Sequence, residues 1–108
     1  MNRYEDLLNK IQKFNKDRDW DQFHSPANLA KSISIEANEL LECFQWDDNN
    51  YKLNEVTEEM ADVFAYLLNM SDKLGVDLID ITDKKIDKNA IKYPIEKSKG
   101  KSTKYNKL

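Results

Sequence analysis

Two glycines, two prolines, one cysteine and one histidine are all that this 108-residue chain contains of those four types. So few turn formers argue against a sheet protein with many tight reversals and leave long helices as the way to fold. A single thiol, Cys43, closes no internal disulfide, so a reducing cytoplasm is the expected setting. One thiol and one distant imidazole also rule out a structural zinc site, and Cys43 reads as a small packing residue. No apolar run approaches the ~20 residues of a membrane span, and no signal-peptide pattern opens the sequence, so no membrane partner is expected.

Charge is abundant and uneven. Residues 84–108 hold nine lysines against Asp87 and Glu96, a balance of +7 within a total of −3, which leaves −10 on residues 1–83. An acidic body with a basic end does not resemble a nucleic-acid-binding domain, whose basic residues share one folded face. Residues 1–94 are expected to form one domain and residues 95–108 a basic C-terminal tail, either solvated or reaching over a polyphosphate. A chain of this length buries about two-thirds of its unfolded surface, enough for one core.

Apolar spacing predicts an all-α protein of four helices. Tyr4, Leu7, Leu8, Ile11 and Phe14 follow i, i+3, i+4, i+7 over approximately residues 2–16. The segment Asp17 to His24 breaks that period. Ser25 and Pro26 then supply an N-cap and a first-turn proline for a helix to about Trp46. After the polar turn 47–50 a third helix runs from about 51 to 74 and stops at Gly75. Asp77 caps a fourth, which reaches about Lys92 before Pro94. A helix of ~20 residues is about 30 Å long, while a 100-residue domain has a radius of gyration near 13 Å. The central stripes exceed what the two shorter helices cover, so two chains are expected to share a bundle, as a homodimer or a homotetramer.

The central helices also carry paired acids: Glu36 and Glu39 on one, Glu59 and Asp62 on the other. Residues three apart share a helix face, and these border the apolar stripes of Ile33, Ala37, Leu40 and Leu41, and of Met60, Val63, Phe64 and Leu67. Packed antiparallel, the four carboxylates converge. Two unit charges ~5 Å apart repel by roughly 3 kcal/mol at an effective dielectric near 20. Such a cluster calls for a cation, and oxygen donors alone favour Mg²⁺, with Mn²⁺ as a substitute.

In this order and spacing the residues resemble the MazG-type all-α nucleotide pyrophosphohydrolases, and among them the dCTP pyrophosphatase-like branch. The Glu-x-x-Glu and Glu-x-x-Asp helices read Glu36-Ala37-Asn38-Glu39 and Glu59-Met60-Ala61-Asp62. Flanking blocks match too: residues 18–24, Phe44-Gln45-Trp46, and Lys92-Tyr93-Pro94. The resemblance covers about residues 4–107. It implies a four-helix bundle completed by oligomerisation, and hydrolysis of a nucleoside triphosphate to the monophosphate and pyrophosphate. It further implies Mg²⁺ on Glu36, Glu39, Glu59 and Asp62, one of which orients the attacking water or takes its proton. Trp20, Phe23, His24, Trp46 and Tyr66 are implied to lie near base and sugar, and Lys85 and Asn89 to contact phosphate. Two positions depart from the pattern. Ala27 stands where some relatives are basic, and Ile11 where certain dCTP-specific relatives have histidine. A di-iron bundle would need Glu-x-x-His pairs, which neither helix supplies. The competing reading is a non-catalytic helical module that binds a protein through its apolar stripes.

Overall fold

The computed structural model describes residues 2–108, and among them every regular element is a helix or a single 3₁₀ turn. In order these are α1 (Arg3–Asp17), a 3₁₀ turn (Asp21–Phe23), α2 (Pro26–Glu42), α3 (Leu53–Leu74), α4 (Leu78–Lys92), α5 (Ile95–Ser98) and a 3₁₀ turn (Tyr105–Lys107). None is long and apolar enough to cross a membrane. Local chemistry sets most of the ends. Side-chain oxygens of Asn2, Ser25 and Asp77 accept from the N–H groups of Glu5, Asn28 and Asp80, satisfying donors at the starts of α1, α2 and α4. Gly75, at φ 68°, ends α3 in the left-handed conformation that a missing Cβ makes inexpensive.

The expected second helix is too long: α2 ends at Glu42, not near Trp46. The N–H groups of Cys43, Phe44 and Gln45 bond the carbonyls of Leu40, Leu41 and Glu42, three residues back instead of four. This tightening brings the Phe44 ring to 4.9 Å from that of Tyr51, across the connection to α3. The half-buried Cys43 donates to the Glu39 carbonyl at 3.6 Å.

The chain forms two compact units, which meet in sequence between Val76 and Asp77. In the first, α2 and α3 make an antiparallel hairpin: Phe44 meets Tyr51, and Glu36 meets Glu59. α1 runs antiparallel to α3, with Gln12 bonded to Asp72 and Asn15 to Asn69. Leu29 and Leu68 are the most deeply buried side chains. Leu41, Leu53 and Met60 remain more than half exposed, so the core is thin for the apolar content. In the second unit Tyr93 meets Tyr105 edge-on at 6.1 Å and Lys92 lies over the Tyr105 ring, so two short turns order part of the basic end.

The end of α1 fixes the following loop. Asp19 adopts φ 54°, its N–H bonds the Lys16 carbonyl, and the Trp20 N–H bonds the Asn15 carbonyl. This is a Schellman closure with aspartate where glycine is usual. Its accompanying apolar contact is the Trp20 ring on Phe14, at 5.5 Å and nearly perpendicular. Gln22 Nε2 bonds both Asp19 Oδ2 and the Asp19 carbonyl, holding the turn. Aspartate and asparagine tolerate this backbone, whereas β-branched residues do not. Asp19→Asn should therefore leave urea stability nearly unchanged, while Asp19→Val lowers it by about 1–2 kcal/mol; equal effects from both would show that the turn is not strained.

Candidate functional site

The α2–α3 hairpin brings acids together. One carboxylate oxygen each from Glu36, Glu59 and Asp62 lies within 4.8 Å of the others. Glu36 Oε2 and Glu59 Oε2 are enclosed and accept no hydrogen bond, an expensive state for a carboxylate. Desolvation pushes the Glu36 carboxyl up to about 7, and Glu39, Asp62 and Glu59 add to the effect. Glu59 is raised too, by desolvation first, then by Glu39, with Asp62 and Glu58 adding to it. Glu39, outside the tight trio, thus raises both glutamates through its carboxylate. Oxygen donors alone, two of them orphaned and enclosed, match the needs of a hard divalent cation.

Beside the acids lies a cavity of about 500 Å³, walled mainly by α1, α3 and the loop between α1 and α2. Leu7, Ile11, Phe14, Trp20, Phe64 and Leu68 give it apolar sides; Asn15, His24, Tyr66 and Asn69 add polar groups. Asp62 belongs both to this wall and to the acidic trio. On α3, Asp62, Tyr66 and Asn69 fall on successive turns of one face. The Nδ1 of His24 is enclosed without a partner.

Of the residues expected near base and sugar, Trp20, His24 and Tyr66 line the cavity. Phe23, 60% exposed, and Trp46, 89% exposed, stand outside its wall. Lys85 and Asn89 sit one turn apart on α4, in the second unit. The sequence reading missed Asn15 and Asn69 in this wall. The signal was available for Asn69, which stands one turn beyond Tyr66 on the acid-bearing face.

The MazG-like family model matches residues 31–108, and the chain belongs to that family. It is 34% identical over 113 residues to dCTP pyrophosphatase 1 of Mus musculus and 33% identical to the Homo sapiens protein of that name. Each alignment takes in 96% of this chain, which spans 66% of the length of either relative. The crystal structure of a pyrophosphatase from Archaeoglobus fulgidus superposes with a TM-score of 0.77 at 39% identity, covering 87% of this chain and 94% of that one.

The crowded acids predict a pH dependence. A carboxyl whose folded pKa exceeds its unfolded value binds protons more tightly when folded, so deprotonation destabilises the fold. With Glu36 moved from 4.5 to about 7, the Tm of the metal-free protein should fall as pH rises through that interval. Glu36→Gln should flatten the slope. An unchanged slope in Glu36→Gln would remove the glutamate from the cause.

Proposed function

We propose that the chain hydrolyses a nucleoside triphosphate to the monophosphate and pyrophosphate, with deoxycytidine-type nucleotides among its better substrates. One observation carries the reading: Asp62 is shared by a cavity fit for a base and a carboxylate trio fit for a divalent cation. A ligand bound there has its apolar, planar end against Trp20 and its anionic end at the acids. The names of the mouse and human relatives support the cytosine preference.

Glu36, Glu59 and Asp62 would hold the ion, with Glu39 completing the set. When bound, Mg²⁺ or Mn²⁺ offsets phosphate charge and makes a nearby water more acidic. Trp20 and Tyr66 hold the base and sugar, and the apolar wall excludes bulk water from that end. One carboxylate of the four orients the attacking water and takes its proton. Motif position alone assigns Lys85 and Asn89 to the phosphates.

The exposed apolar side chains of Leu41, Leu53 and Met60 support a further assignment, contact with other copies in a dimer or tetramer. Sedimentation at micromolar concentration should show an assembly larger than one chain; a stable monomer there would overturn that assignment.

With Mg²⁺ and a panel of (deoxy)nucleoside triphosphates, pyrophosphate should appear as product. Orthophosphate alone would mean another reaction class. Glu39→Ala and Asp62→Ala should each lower kcat/KM at least about a hundredfold with helical content retained; collapse of the fold would make the acids structural. Mg²⁺ with a non-hydrolysable nucleotide should stabilise the native protein, by about 2.7 kcal/mol at a hundredfold excess over Kd. A module that only docks onto proteins gains nothing from that addition.

A further inference from the structure

Asn15 and Asn69 are 4% and 7% exposed, and Asn15 Nδ2 donates to Asn69 Oδ1 at 2.8 Å. A second side-chain bond between α1 and α3, Gln12 to Asp72, is exposed. Buried amides are a costly way to join two helices, because two apolar side chains of similar shape fill the same space with no polar group to satisfy. This pair also stands in the cavity wall, where most of its neighbours are apolar.

One hydrogen bond does not satisfy two amides. With Asn15 donating and Asn69 accepting, Asn15 Oδ1 remains an acceptor and the Asn69 Nδ2 hydrogens remain donors. Neither atom is among the enclosed, unpartnered side-chain atoms. A nucleobase edge alternates donors and acceptors in the same way, and an amide that pairs with such an edge reads it bidentately. The shared bond restrains each amide's rotation, so the recognising groups are held in place before a ligand arrives.

We propose that the Asn15–Asn69 pair reads the polar edge of the substrate base and sets which bases the cavity accepts. The inference rests on the pyrophosphohydrolase reading and deepens it. Trp20 supplies sequence-tolerant stacking, whereas the amide pair supplies the discrimination, because a wrong edge leaves buried polar groups unpaired. The pair is a specificity element, with no role in the bond-breaking step.

The test is kcat/KM for the four common deoxynucleoside triphosphates, in the native protein and in the double variant Asn15→Leu/Asn69→Leu. The double variant Asn15→Ala/Asn69→Ala serves if the larger residues prevent folding. The ratio between best and worst substrate should shrink at least tenfold, mainly through a higher KM for the best. A ratio that survives in the folded variant overturns the proposal and leaves the pair as a helix–helix register device. If the native protein releases pyrophosphate from no triphosphate, the functional reading fails separately. Recognition is then read by thermal shift with the four deoxynucleosides alone. The native protein should be stabilised unequally by them and the variant equally; equal shifts in the native protein overturn the inference.

Discussion

Like charge held at close quarters is the constraint on which this molecule turns. The α2–α3 hairpin could have buried apolar residues where Glu36 and Glu59 sit, yet it encloses an oxygen of each with no partner. Packing elsewhere along the hairpin must offset that repulsion, and the deeply buried Leu29 and Leu68 contribute to it. A fold that tolerates such a cluster is arranged for a cation it does not itself supply.

α3 is the shared spine of the site. The face carrying Glu59 and Asp62 meets α2, while Asp62, Tyr66 and Asn69 look toward α1 across the cavity. One helix therefore sets the separation between the clustered carboxylate oxygens and the cavity. At 1.5 Å rise per residue, Asp62 and Asn69 lie about 10 Å apart along the axis.

Much of this was legible from local chemistry. Ser25-Pro26, Gly75 and Asp77 announce helix ends within a few residues of themselves, and the structure places the ends there. The acid pairs were legible because helical periodicity alone sets their side, and the family resemblance because the flanking blocks at residues 18–24, 44–46 and 92–94 stand around them in order. Features built from distant partners were hidden. α2 stops early where the tightened turn brings Phe44 to Tyr51, and no propensity in residues 43–46 announces that ring contact. The Asn15–Asn69 bond spans 54 positions, so neither asparagine signals it locally. Asp19 shows its left-handed backbone only once the closure with Asn15 and Lys16 is seen. Phe23 and Trp46 stand outside the cavity wall, and residue type alone does not separate them from Trp20, which lines it.

The placement of the two tryptophans has an optical consequence. Trp46 is 89% exposed within the single chain. Trp20 is edge-on to Phe14, whose ring also carries the Arg18 guanidinium at 3.8 Å, and it borders the cavity. A ligand filling that space would change the surroundings of Trp20 and is expected to alter its intrinsic fluorescence. The chain carries a built-in gauge of occupancy, set in place by the backbone turn at Asp19.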